Sequence, residues 1–76
     1  KYHIPQHGIY MYARTNSGKT ELIVLNSTDA EQVVANDHYR IMTNDSKSGK
    51  ELISGKKIDL TKNMTVGARQ SLIIEL

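Results

Sequence analysis

The sequence contains no cysteine and no long hydrophobic run, and each absence excludes a class of protein. Without cysteine the chain has neither disulfide bonds nor thiolate metal sites. No stretch approaches the roughly 18 consecutive apolar residues of a membrane-spanning helix, and residues 1–8 lack the basic and apolar parts of a signal peptide. We therefore predict no membrane insertion, while the cellular compartment stays open. Because the chain begins with Lys1 and not with Met, we expect a piece of a longer polypeptide.

The charged residues show little excess of one sign, with ten Lys and Arg, eight Asp and Glu, and a formal net charge of +2. The densest basic group comprises Lys47, Lys50, Lys56 and Lys57, and the acidic residues that interrupt it are Asp45, Glu51 and Asp59. A nucleic-acid-binding surface would instead cluster Lys and Arg on one face with aromatic residues between them. We interpret this group as a solvated edge and predict no nucleic-acid partner.

Short apolar runs separated by turn residues indicate an all-β sandwich or barrel. The expected strands are residues 8–14, 20–26, 31–34, 51–53, 57–60 and 71–76, with a possible seventh at 64–66. Residues 36–42 favour a single helical turn before a polar loop at 43–49. A chain of 76 residues forms one small domain, and such a domain buries only about 60% of its unfolded surface. Its stability is therefore marginal unless something else contacts it.

Residues 13–20, ARTNSGKT, nearly match a phosphate-binding loop, which would make the protein a nucleotide-binding enzyme. Such a loop requires a helix directly after it, because the first backbone N–H groups of that helix bind the phosphates. The chain continues instead with four apolar residues, Leu22 to Leu25, which are typical of a strand. We interpret the stretch as a β-hairpin that turns through Asn16, Ser17 and Gly18.

Alternation of side chains predicts which strand faces are buried, since residues two apart share a face. The last strand places Leu72, Ile74 and Leu76 on one face. The strand at residues 20–26 is apolar on both faces, with Leu22 and Val24 on one and Ile23 and Leu25 on the other. We expect such a strand to be covered on both sides, either within a two-layer sandwich or by another domain.

The strand at residues 8–14 presents a pair of tyrosines. Ile9, Met11 and Ala13 share its core face, and Tyr10 and Tyr12 stand together on the opposite face. Two aromatic rings on one strand face could form a platform for sugars. Tyrosine is also enriched at protein interfaces, where the apolar ring and the hydroxyl suit a half-wet contact. Both alternatives stay open on these residues.

The histidines and carboxylates do not form a recognisable reactive site. His3 and His7 are four residues apart, but Pro5 between them disfavours the helix that would place both on one face. His38 favours a loop or cap role. Asp29 and Glu31 lie close together in sequence, but a glycosidase needs two carboxylates that flank a deep pocket, and a domain of 76 residues has few residues with which to build one. The sequence predicts no catalytic residue, no metal site and no cofactor in this chain.

In order along the chain, GIYMYAR at residues 8–14, LIVLN at 22–26, LISGK at 52–56, IDL at 58–60 and VGARQSLIIEL at 66–76 form one pattern. It resembles the C-terminal domain of alpha-amylase-family glycoside hydrolases, especially the cyclomaltodextrinase and neopullulanase branch. One departure is Gly67-Ala68, where that family commonly has proline before the arginine.

The resemblance implies a small antiparallel β-sandwich of about six to seven strands with a Greek-key-like arrangement. It implies that residues 1–76 are a C-terminal accessory domain and that residues 1–7 are an extended leader from an upstream catalytic (β/α)8 barrel. The parent would hydrolyse starch-derived α-glucans or cyclodextrins with two carboxylates that lie in the barrel, in a bacterial periplasmic, secreted or cytoplasmic setting. The implied role is structural docking; the alternative is a carbohydrate-binding module that uses Tyr10 and Tyr12.

Overall fold

The computed structural model describes residues 2–43 and 46–76, with the side chains of Tyr2, His3 and Asn16 excepted. These residues form eight strands and one helix. The elements are β1 (Tyr2–Gln6), β2 (Ile9–Asn16), β3 (Lys19–Asn26), β4 (Gln32–Val34), α1 (Asn36–Thr43), β5 (Ser48–Glu51), β6 (Lys57–Asp59), β7 (Met64–Val66) and β8 (Ser71–Glu75).

The strands form two antiparallel sheets that face each other. The larger sheet has six strands in the order β1-β2-β3-β8-β5-β6, and the smaller sheet consists of β4 and β7. Strand β3 pairs with β8 in the larger sheet, and the next strand, β4, pairs with β7 in the smaller sheet. This nested pairing gives the sandwich its Greek-key-like character. The predicted all-β sandwich is confirmed.

One strand more than predicted is present among the described residues, because the amino-terminal segment joins the sheet. Tyr2–Gln6 pairs with β2 as an edge strand, and an irregularity in register separates the pairs formed by His3 and Gln6. Proline is compatible with such an edge position, since it removes only one backbone donor. The segment is thus extended and paired with the rest of the sheet.

The strand predicted at residues 51–53 is wrong in position. Strand β5 ends at Glu51, and Leu52–Ser54 form a turn whose Gly55 N–H donates to the Glu51 carbonyl at 2.8 Å. Gly49 makes this placement possible, because a Cβ there would lie 2.6 Å from Ile74 Cγ2 and 2.9 Å from the Glu75 carbonyl. Apolar residues at 52–53 resembled a strand but belong to the turn. The predicted loop at 43–49 includes residues 44–45, which lie outside the described residues, and its last two residues belong to β5.

A helix is present where a single helical turn was predicted at residues 36–42, but it is longer than predicted. Helix α1 has eight residues, about two turns, and covers the inner face of the large sheet. Tyr39 is fully buried there, and its hydroxyl donates to the Lys62 carbonyl. The core contains Ile9, Met11, Leu22, Val24, Leu72 and Ile74 from the large sheet, Leu60 from the segment after β6, and Val34, Tyr39, Met42, Met64 and Val66 from the covering layer. Ala13 and Leu76 pack against it as partly buried residues. The core faces predicted for β2, β3 and β8 are therefore confirmed.

A single buried amide joins two of the loops that connect the sheets. Asn26, only 3% exposed, ends β3. Its Nδ2 donates to the carbonyls of Ala30, Val66 and Gly67 at 2.9, 3.2 and 3.0 Å. Its Oδ1 accepts from the backbone N–H and the hydroxyl of Thr28 at 2.9 and 2.7 Å. The β3–β4 and β7–β8 connections therefore share one anchor.

We expect Asn26→Ala to lower the free energy of unfolding by about 2–4 kcal/mol, because it leaves buried carbonyls without a donor. Chemical denaturation followed by circular dichroism measures the change. Asn63→Ala is the matched control, since Asn63 is exposed and its side chain accepts only a 3.3 Å bond from the Asn36 N–H. Equal losses in the two variants would show that Asn26 is not the anchor.

Candidate functional site

The outer face of the large sheet carries an uninterrupted apolar row. Tyr12 lies directly opposite Ile23, and Ile23 lies opposite Ile73. The next position across the sheet is Leu52, whose N–H donates to the Ile73 carbonyl at 2.8 Å. Ile23 is only 7% exposed although it is not part of the inner core. The row, called here the outer row (Tyr12, Ile23, Ile73 and Leu52), is therefore a second apolar cluster.

The two predicted tyrosines lie on this face, as the alternation indicated. Tyr10 and Tyr12 are each 37% exposed. Tyr10 lies opposite Leu25, which is itself 39% exposed, and so extends the apolar surface by a second row. The inner face of β3 is covered by the sandwich, whereas no described residue covers its outer face. Of the two faces of β3 that we expected to be covered, the described residues cover the inner one.

A charged row borders the outer row on one side. It runs across five strands through Arg14, Glu21, Glu75, Lys50 and Lys57. The Arg14 Nε donates to the Glu21 carboxylate at 2.9 Å, and the Lys19 Nζ lies 3.9 Å from the Glu75 carboxylate. Like charges are neighbours at two places, Glu21 beside Glu75 and Lys50 beside Lys57. The two glutamates are flanked by basic residues on both sides, by Arg14 on β2 and by Lys50 and Lys57 at the β5–β6 edge.

A buried carboxylate shapes the turn at the end of the outer row. Glu51 is 3% exposed and accepts hydrogen bonds from the N–H groups of Ser54 and Ile73 at 2.7 and 3.1 Å. Burial by itself raises the Glu51 pKa, but the hydrogen bonds from the backbone of Ile73 and Ser54 outweigh it. With smaller contributions from the Ser54 side chain and the Ile53 backbone, the pKa falls from 4.5 to about 2. The turn that Glu51 holds presents Leu52 and Ile53 to solvent, 41% and 70% exposed.

A groove opens beside this turn, between the β5–β6 hairpin and β7, with a volume of about 460 Å³. Ile58, Met64 and Leu72 supply apolar lining, and Met64 and Leu72 are buried. Exposed lysines at its edge are Lys56, Lys57 and Lys62. Ile53 also lines the groove, so the apolar surface continues from the outer face around the turn.

The phosphate-loop interpretation of ARTNSGKT fails on the structure. Ser17 and Gly18, with φ of 52° and 80°, form the two-residue turn between β2 and β3. Positive φ at both central residues is typical of a type I′ hairpin turn. A strand follows the turn, so no helix N-terminus is present to bind phosphate, and the predicted hairpin is confirmed.

The other residues considered as reactive groups are dispersed. The side chain of His3 lies outside the described residues, His7 is in the β1–β2 turn, and His38 is exposed on α1. Asp29 pairs with Arg69 at 2.5 Å. Within residues 2–43 and 46–76 no three His, Asp or Glu side chains are grouped as metal ligands require. Among the same residues no helix is long and apolar enough to cross a membrane.

The chain matches a known protein family over nearly its whole length. Residues 1–75 match the family described as the cyclo-malto-dextrinase C-terminal domain. The chain belongs to this family. The match covers nearly the whole chain and confirms the resemblance drawn from the strand pattern. The domain is thus an accessory domain of the cyclomaltodextrinase type of alpha-amylase-family glycoside hydrolase.

Two residues important to this domain were missed in the sequence. Asn26 was recognised only as the end of an apolar run, although a strand-terminal Asn before Ser-Thr-Asp is a signal for side-chain-to-backbone bonding. Glu51 was counted among the acids that dilute the lysines. Its position three residues before Ser54 fits the hydrogen bond from the Ser54 N–H, but its burial depends on β8, which is distant in sequence.

Glu51 makes the stability of the domain sensitive to acid. Because its folded pKa of about 2 lies below the ordinary 4.5, its stabilising contribution is complete above about pH 5 and is lost as the pH falls towards 2. We expect Glu51→Gln to lower the free energy of unfolding near neutral pH by about 1–3 kcal/mol and to flatten its dependence on pH in that window.

Denaturant titrations at several pH values measure both effects. Glu31→Gln is the matched control, because Glu31 is an exposed glutamate in the same domain. An acid limb of equal slope in the Glu51 variant and the unmodified domain would contradict the assignment.

Proposed function

We propose that this chain is a non-catalytic domain that docks, through the outer face of its large sheet, onto the catalytic (β/α)8 barrel of the same polypeptide. The parent enzyme acts on starch-derived α-glucans or cyclodextrins, as its family suggests. The observation that carries the proposal is the uncovered outer row. Its role is to cover apolar surface on the barrel and to hold the end of the chain.

The composition of the outer face supports a protein partner. Exposed Tyr10, Tyr12, Leu25 and Leu52 surround the buried Ile23. Contiguous apolar surface with a polar border marks interaction sites, whereas single exposed apolar residues are ordinary. The charged row supplies this border on one side. A surface of this kind is stabilised when a partner removes it from water.

The bonding of the carboxylates supports a non-catalytic role. A retaining glycosidase needs two carboxyl groups about 5–5.5 Å apart on either side of the scissile bond. Glu51 is bound to backbone N–H groups, Asp29 to Arg69, and Asp59 to Thr61. Each of these carboxylates already has a structural partner. The catalytic pair of the parent is expected in the barrel.

The alternative function is a carbohydrate-binding module. Tyr10 and Tyr12 share one strand face, and their half-exposed rings could stack on two sugar units. Docking and sugar binding compete for the same rings. The two functions therefore differ in what protects these tyrosines.

Nitration of tyrosine by tetranitromethane, mapped by mass spectrometry in the intact parent enzyme, distinguishes them. Docking predicts that Tyr10 and Tyr12 are protected without any ligand, because the barrel covers their rings. Sugar binding predicts that both react freely and become protected only when maltoheptaose is added. Free reaction with and without maltoheptaose would contradict both functions.

Two matched variants extend this test. Leu25 is 39% exposed on the outer face, and Val33 is 52% exposed on the covering layer. We expect Leu25→Ser to speed nitration of Tyr10 and Tyr12 in the intact enzyme by roughly threefold to tenfold, since a buried aliphatic contact is lost. Val33→Ser should leave the rates unchanged. Equal effects of the two variants would argue against docking through the outer face.

A further inference from the structure

Two lysines lie directly opposite each other on the outer face of the β5–β6 hairpin. Lys50 and Lys57 are register partners, and both side chains are exposed. Like charges at directly opposite positions of antiparallel strands destabilise the pair. Within the described residues neither lysine has a carboxylate at ion-pair distance. Lys57 also interacts at longer range with the Asp59 carboxylate, but the free domain still carries a like-charged pair at this position.

Two of the three acids that dilute these lysines in sequence, Glu51 and Asp59, are bonded elsewhere in the structure, and the third, Asp45, lies outside the described residues. Glu51 is buried and held by backbone N–H groups. Asp59 accepts bonds from the N–H and hydroxyl of Thr61 at 2.9 and 2.5 Å, and the Lys62 Nζ is 3.9 Å away. Glu75, opposite Lys50, has Lys19 at 3.9 Å. Lys50 and Lys57 thus form a local cluster of positive charge, called here the basic corner.

This corner adjoins the end of the outer row. Leu52 and Ile53 follow Lys50 by two and three residues, and Ile53 leads into the groove that Lys56 and Lys57 border. The basic corner is therefore continuous with the apolar surface of the proposed docking face. A partner that covers Leu52 also approaches the two ammonium groups.

We propose that the docked barrel places carboxylate side chains against Lys50 and Lys57. This inference rests on the proposed docking function and names the chemistry of the partner surface at one corner. Complementary charge fixes orientation more than it adds affinity. The carboxylates would neutralise the lysine pair and set which way the domain lies on the barrel.

A zero-length carbodiimide cross-linker tests the contact in the intact parent enzyme, because it joins an amine only to a carboxylate in direct contact. We expect mapped cross-links from Lys50 or Lys57 to an Asp or Glu in the barrel. Cross-links confined to Glu75 and Asp59, or none from these lysines, overturn the inference. If Tyr10 and Tyr12 are protected from nitration in the same sample, docking itself still stands. If they are unprotected, the proposed function fails first.

Charge reversal gives a second measurement. Lys57→Glu replaces the like pair by an opposite pair within the hairpin. It also loses the favourable interaction of Lys57 with Asp59, so circular dichroism of the variant first checks that the domain stays folded. In the intact enzyme we expect nitration of Tyr12 to become roughly twofold to fivefold faster, the effect of one partly screened charge pair. Arg40→Glu makes the same change in charge on α1, which packs against β1 and β2, and should leave the rate unchanged. Unchanged nitration in Lys57→Glu overturns the inference.

Discussion

The architecture depends on one constraint, which is that the six-stranded sheet carries apolar residues on both faces and the described residues cover only one of them. The covering layer consists of one eight-residue helix and two three-residue strands. These elements bury the inner face completely at Leu22 and Val24. On the same strand, Ile23 is buried only by its neighbours on the outer face. The inner face of the large sheet is therefore packed in the core of the sandwich, and its outer face leaves apolar side chains exposed.

Because the covering layer is so small, buried polar side chains hold the connecting loops in place by hydrogen bonds. Asn26 joins the loops after β3 and β7, and Glu51 joins the β5 turn to β8. Both groups are fully bonded, and no buried side-chain nitrogen or oxygen among the described residues lacks a partner. Satisfied networks of this kind specify one arrangement, whereas partial ones destabilise. A domain without disulfide bonds thus obtains fixed loop positions from hydrogen bonds.

Local pattern in the sequence was sufficient for β2, β3, β7, β8 and the hairpin turn at Ser17 and Gly18. It misplaced β5, because Leu52 and Ile53 are apolar residues in a turn and their partner strand is more than 20 positions away. Edge strand β1 was predicted only as part of an extended segment for a similar reason, since its strand character comes from the pairing with β2 and not from its own residues. The tyrosine face followed from alternation alone. The basic corner did not, because sequence spacing cannot show which carboxylates are bonded elsewhere.

The apolar surface and the charged row on the outer face of the large sheet differ in how they would act on a partner. Apolar contact at Tyr10, Tyr12 and Leu25 is non-directional, so it holds a partner without defining how the partner is turned. The charged row is directional, because two lysines, Lys50 and Lys57, occupy one end, Arg14 alone occupies the other, and the two acidic residues between them are off-centre. Rotating a partner with complementary charges by half a turn would bring like charges together. In the docking that we propose, the apolar residues of the outer face supply the adhesion and the charged row beside them sets the orientation, so that the domain has a single docked position.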